Sequence, residues 1–224
     1  MTTQTVKTRT PAVLFDLDGT LIDSLSVTFA GFNAGIVSQG GRPHTPDEII
    51  AYFGPGEREI FAKIIGRDRA MAAYKAYCDY IETEMTRCPL HEGVSELLEA
   101  LKQNDVPVAI VTGRCSQTAR TMLEHHRLYD RFITVIANDN VKESKPSPEG
   151  LLIALGRVGR EGRESLYVGD NWVDMKAANG SGCRPIGALW DAGADRVSLE
   201  MHKPYGFAKH PKEILKYWHE LTEE

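Results

Sequence analysis

Ala12-Val13-Leu14-Phe15-Asp16-Leu17-Asp18-Gly19-Thr20 is the stretch on which the reading of this chain turns. Four apolar residues in succession, without the alternation of a half-exposed strand, predict a strand covered on both faces. Asp16 and Asp18 then stand at its carboxyl end, which is where a parallel sheet binds its ligands.

Four more short apolar runs share this texture: Pro107–Val111, Phe132–Ile136, Leu166–Val168 and Pro185–Leu189. Between them lie helix-length segments with apolar residues at three- and four-residue steps. Val94, Leu97, Leu98 and Leu101 form one stripe, and Ile214, Leu215, Trp218 and Leu221 another. Ser147-Pro148 reads as an N-cap followed by proline at the first helical position. Strands alternating with helices predict right-handed crossovers and a parallel α/β sheet. The alternation fails from about Ser24 to Pro89, where no strand is evident. Leu25, Phe29, Phe32 and Ile36 mark one helix there; Met71, Tyr74, Cys78, Ile81 and Met85 mark another. Thr45-Pro46-Asp47-Glu48 has the form of a capping box. The organisation is thus a core of residues 1–21 and 92–224 carrying an all-helical insertion of residues 22–91.

Composition narrows the function. The 224 residues carry a net charge of −5, with no basic block, so a nucleic-acid partner is not expected. No apolar run reaches the length of a membrane span, and Met1–Thr10 lacks the apolar region of a signal peptide. Four cysteines without a C-x-x-C pair fit free thiols in a reducing cytoplasm.

Several strand ends carry reactive side chains. Val111 leads into Thr112-Gly113-Arg114, Val168 into Gly169-Asp170 with Asp174 one turn onward, and the loop after Ile136 holds Lys145-Pro146. Carboxylates gathered at one edge repel each other unless a cation compensates, and a hard divalent ion such as magnesium suits an all-oxygen set. Such an ion leaves an aspartate free to attack phosphorus. Lys145 and Thr112 suit phosphoryl oxygens, while Asp18, two residues past Asp16, suits proton transfer to the leaving alcohol. Plainer roles exist: Asp170 as an N-cap, Arg114 at the rim, Cys115 as a buried thiol, and His125-His126 at a helix end. Arg58, beyond the Phe53-Gly54-Pro55-Gly56 turn, is either a cation for the far side of an anionic substrate or a helix-surface ion pair.

Phe15-Asp16-Leu17-Asp18-Gly19-Thr20-Leu21, Val111-Thr112-Gly113, Lys145-Pro146-Ser147-Pro148 and Gly169-Asp170 through Asp174 resemble, in order, the four motifs of the haloacid-dehalogenase-like hydrolases. The resemblance spans Ala12 to Leu221. It implies a Rossmann-like core with a helical cap inserted after the first strand. It also implies Asp16 as nucleophile and metal ligand, and Asp18 as acid/base lending its carbonyl to Mg2+. Thr112, Gly113 and Lys145 then hold the phosphoryl group, Asp170 is the second metal carboxylate, and Asp174 supports the metal or Lys145. Asp23-Ser24, Asn33 and Phe53-Gly54-Pro55 look like phosphoglycolate phosphatases and related pyrophosphatases. The implied activity is a Mg2+-dependent phosphatase acting on a small phosphorylated metabolite. The alternatives are a mutase of the β-phosphoglucomutase type, which usually has a histidine where this chain has Thr28, and a non-catalytic phosphometabolite-binding protein. Trp190-Asp191-Ala192-Gly193 departs from the Trp-Gly-Tyr-Gly often seen in phosphoglycolate-phosphatase-like chains.

Overall fold

The computed structural model describes residues 10–223 and builds six parallel strands. These are β1 (Ala12–Phe15), β2 (Val108–Val111), β3 (Thr134–Ile136), β4 (Ser165–Gly169), β5 (Arg184–Ala188) and β6 (Gly206–Ala208), in the order β3-β2-β1-β4-β5-β6. The first five answer the apolar runs of the sequence to within two residues. β6 does not: three residues beginning with glycine carry no pattern, and the strand forms because β5 offers it an edge.

Continuous apolarity has its expected cause. Val13 and Phe15 enter one core with Val108, Ile110, Leu166 and Val168, under α5 (Val94–Gln103), α6 (Ser116–His125) and the helix Ile214–Thr222. Ala12 and Leu14 enter a second core with Ala109, Val111 and Tyr167, under α7 (Glu149–Val158) and α8 (Trp172–Ser181). Register then fixes the site. Phe15 lies level with Ile110 and Val168, so the residues after β1, β2 and β4 leave the sheet side by side. β1 also has β2 on one side and β4 on the other, which is the switch point where open α/β sheets bind ligands. One start signal is displaced: α7 begins at Glu149 with Pro148 in the cap position, and the Ser147 hydroxyl accepts the Glu149 N–H at 3.3 Å.

Between β1 and β2 the chain is helical: α1 (Leu25–Ser38), α2 (Pro46–Ile50), α3 (Glu57–Ile65) and α4 (Arg67–Thr83). The capping box opening α2 is formed, Thr45 accepting the Glu48 N–H while Glu48 accepts the Thr45 N–H. α1 packs along α4. Gly35 permits it, because a Cβ there would stand 2.6 Å from the Ala73 carbonyl and 2.7 Å from the Phe61 ring. Phe32, Phe61 and Tyr77 fill the space between, with ring centroids 5.0–5.9 Å apart, a contact worth about 1 kcal/mol per pair beyond area burial. Of the α4 stripe read from the sequence, Tyr74 and Ile81 are buried and Met71 is exposed; Ala73 and Tyr77 carry the packing in its place. The two chain passes joining the insertion to the sheet run together, Asp23 N–H to Pro89 carbonyl at 2.9 Å and His91 N–H to Leu21 carbonyl at 3.1 Å. Among the described residues no helix is long and apolar enough to cross a membrane. Of the Met1–Thr10 stretch, only Thr10 falls among the described residues.

Candidate active site

Asp16 follows β1 and is almost fully buried. The Lys145 ammonium donates to its Oδ1 at 2.7 Å, to Asp174 Oδ1 at 2.6 Å and to the Tyr167 hydroxyl at 3.0 Å. Tyr167 in turn donates to the Val111 carbonyl at 2.8 Å, which ties the group to the end of β2. Asp170 follows β4 and accepts the Thr20 hydroxyl at 2.9 Å. It does not cap α8. Asn171 does, its side chain accepting the Val173 N–H, while Asp174 Oδ2 accepts the Asn171 N–H. One residue of register therefore separates the cap from the carboxylate that faces the site. Gly19 gives that carboxylate its room: its φ is +73°, and a Cβ there would stand 2.5 Å from Asp170 Oδ2.

One carboxylate oxygen from each of Asp16, Asp170 and Asp174 lies within 4.8 Å of the others. Burial pushes the Asp16 carboxyl up to about 7, helped by the charges of Asp174 and Asp18 and opposed by Lys145. Burial likewise raises Asp170 well above the carboxylate range, with Asp174 and Asp16 adding to it. Burial works against the Lys145 ammonium, but Asp16 and Asp174 overcome it and hold the group charged. One ammonium among three acids leaves the edge short of positive charge. An all-oxygen donor set with a charge deficit fits a hard divalent cation, which Asp16 and Asp170 would hold.

Asp18 keeps different company. β1 has ended and the chain turns at Gly19, and Asp16 and Asp18 take separate partners. Asp18 Oδ1 accepts Arg114 Nε at 2.9 Å, Arg114 Nη2 at 2.6 Å and the Ser24 hydroxyl. Arg114 is buried, with Nη1 donating to the Tyr77 hydroxyl at 2.7 Å and Nη2 to Thr28 Oγ1 at 2.5 Å. Thr112 is buried at the end of β2, its Oγ1 accepting the Arg114 N–H at 3.2 Å, and Gly113 lies between them.

Arg58 goes elsewhere. Its guanidinium donates to Asp139 at 2.9 Å across the face between insertion and core, half exposed, and among the described residues no hydrogen bond or ion pair ties it to Asp16, Asp18, Asp170 or Asp174. The residue that turns inward is its neighbour Glu57, because successive helical residues point about 100° apart. Glu57 accepts the Cys115 N–H at 2.6 Å and the Thr118 hydroxyl at 2.8 Å, so a carboxylate from α3 caps α6. Burial and Glu57 push the Cys115 thiol up to about 12, which disfavours the thiolate.

The profile of the haloacid dehalogenase-like hydrolases matches residues 13–188, most of the chain. The chain belongs to that family. Among haloacid dehalogenase-like relatives, the pyrophosphatase PpaX of Bacillus velezensis is 31% identical over 184 residues, covering 81% of this chain and 84% of the relative. The phosphoglycolate phosphatase of Aquifex aeolicus is 28% identical over 207 residues, covering 91% and 94%. A predicted phosphoglycolate phosphatase from Haemophilus somnus 129PT superposes with a TM-score of 0.81 at 22% identity, covering 94% of this chain and 99% of that one. The chain is thus a phosphatase of the haloacid dehalogenase-like family with a Rossmann-like α/β core.

Of the site residues expected from the sequence, the structure brings Asp16, Lys145, Asp170 and Asp174 into one cluster. It sets Asp18 beside them on Arg114, and it leaves Arg58 on the surface. No motif or apolar pattern marks Glu57 or Tyr77 as a site residue. Tyr167 carried a usable signal, since a tyrosine in a fully apolar strand needs a partner for its hydroxyl.

Proposed function

We propose that this phosphatase hydrolyses a small phosphate monoester through a phosphorylated Asp16. The observation that supports the reading most is the Asp16–Lys145 pair at 2.7 Å, on a strand end where Asp170 and Asp174 add charge that a divalent cation must balance. Mg2+ held by Asp16, the Asp18 carbonyl and Asp170 would supply charge neutralisation for the phosphoryl oxygens. A carboxylate oxygen of Asp16 attacks phosphorus, and the bond from phosphorus to the ester oxygen breaks. The leaving oxygen takes a proton from Asp18. Lys145 and Thr112, with the Gly113 backbone, bind the phosphoryl oxygens. Water then attacks the phosphorus of the aspartyl-phosphate, gives its proton to Asp18, and restores the Asp16 carboxylate as phosphate departs.

On this reading residues 22–91 are a cap over the catalytic core of residues 1–21 and 92–224, shielding the aspartyl-phosphate from bulk water. The test is release of p-nitrophenol from p-nitrophenyl phosphate with Mg2+, with chelator, and with chelator followed by Mg2+. Asp16→Asn is expected to lose more than about 1,000-fold in kcat with an unchanged fold. Retention of over about a hundredth of the rate, or full activity in excess chelator, excludes the reading.

A further inference from the structure

Arg114 joins the helical insertion to Asp18, the site acid outside the Lys145 cluster. A guanidinium is planar, so fixing two of its nitrogens fixes the direction of the third. Here the fixing groups come from the insertion: Thr28 of α1 takes Nη2 at 2.5 Å, and Tyr77 of α4 takes Nη1 at 2.7 Å. Glu57 of α3 stands 3.9 Å from Nη1 and balances the buried charge from the same side. The edge left over, Nε with Nη2, closes on Asp18 Oδ1.

That oxygen also accepts the Ser24 hydroxyl, so three donors converge on it. Among the described residues Asp18 Oδ2 accepts no hydrogen bond. A carboxylate gripped by one oxygen has its second oxygen aimed, and the aimed oxygen is the one able to carry a proton to a leaving group. We propose that Arg114 is a positioning residue for Asp18, and that Tyr77 and Thr28 make its aim depend on the insertion being seated against the core. This rests on the role given to Asp18 above. Protonation of the leaving oxygen is then available only under a seated insertion, where bulk water is excluded.

The chemistry separates this from a merely structural arginine. An alkoxide leaving group needs the proton, whereas p-nitrophenolate leaves without it. A loosened Asp18 therefore penalises ethyl phosphate more than p-nitrophenyl phosphate, while a damaged fold penalises both alike. The experiment measures kcat/KM, which reports the first phosphoryl transfer, for both esters in wild type, Asp18→Asn, Arg114→Lys and Tyr77→Phe. Tyr77→Phe removes one hydroxyl without changing packing volume, so it keeps the test open if Arg114→Lys folds poorly. The ratio of p-nitrophenyl to ethyl phosphate kcat/KM is expected to rise about 100-fold or more in Asp18→Asn, the scale of one general acid. It should rise about 30-fold in Arg114→Lys and about tenfold in Tyr77→Phe, fractions of the same effect. If Asp18→Asn raises the ratio and both other variants leave it at the wild-type value, this inference is wrong and the phosphatase reading stands. If Asp18→Asn itself leaves the ratio unchanged, Asp18 is not the acid, and both fall.

Discussion

Two buried cations stand side by side at the carboxyl edge of the sheet, and they are built differently. Lys145 sits between Asp16 at 2.7 Å and Asp174 at 2.6 Å, with Tyr167 and the Val111 carbonyl completing its shell. Every partner belongs to the core. Arg114 sits between Asp18 at 2.6 Å and Glu57 at 3.9 Å, and three of its four side-chain partners, Thr28, Glu57 and Tyr77, come from the insertion. A compact ammonium suits the first place, where one point charge must serve several oxygens. A planar fork suits the second, where orientation has to pass from one element to another. The first triad stays together as long as the sheet does; the second is divided by any motion that lifts the insertion.

Lys145→Met breaks the first triad and is expected to have the largest effect. It leaves Asp16 and Asp174 without their shared counter-ion and should lower kcat by about 100- to 1,000-fold on every phosphate ester alike. A loss confined to some esters would place Lys145 in recognition rather than in phosphoryl transfer.

The same triad predicts how the metal-free protein responds to pH. The Asp16 carboxyl is raised from 3.8 to about 7 in the fold, so the folded state holds a proton that the unfolded state releases. Stability from this group is fully present below pH 3.8 and is lost as pH rises towards about 7, by about 4 kcal/mol at most. Mg2+ competes with that proton, so thermal melts with Mg2+ against chelator should show a larger metal-induced rise in Tm at pH 8 than at pH 5. An equal rise at both values would mean that Asp16 is not among the metal-binding groups.

Glu57→Gln probes the second triad at its weaker contact. The side chain keeps its shape and loses the charge that faces Arg114 and the first turn of α6. The cost should be about 1–2 kcal/mol, seen as a fall of several degrees in Tm, with kcat reduced less than by Lys145→Met. Arg58→Ala removes the exposed pair with Asp139 and should cost under about 1 kcal/mol, with kcat/KM near wild type. A large rise in KM there would return Arg58 to the substrate.

The contrast also explains what could be read in the chain. The core triad was legible because Asp16 ends an apolar run, Lys145 lies in the loop after one and Asp174 stands one helical turn past the end of β4, and a parallel sheet gathers its strand ends at one edge. Even there, one residue of register decided between Asp170 and Asn171 as the cap of α8, and apolar pattern does not resolve one residue. The second triad was illegible for a physical reason. Arg114 follows a strand as any turn residue does, and nothing in its neighbours announces a tyrosine arriving from α4. Whether Glu57 or Arg58 faces the core depends on where α3 begins, between a glycine turn and a nine-residue helix too short to show a firm stripe. β6 was missed because its order comes from its neighbour.

The paired chain passes at Asp23–Pro89 and Leu21–His91 have a consequence for descent. Because the chain departs from the sheet and rejoins it one hydrogen bond apart, the sheet cannot sense how much polypeptide lies beyond that point. Seen from β1 and β2, the helices are a loop with closed ends, and extra residues in such a loop add little entropic cost. Lineages can therefore lengthen, shorten or exchange this segment without moving Asp16 or Lys145. In this chain Thr28 and Tyr77 are where the exchangeable part of the molecule grips the rest, so an exchanged segment loses those contacts to Arg114 unless it brings its own.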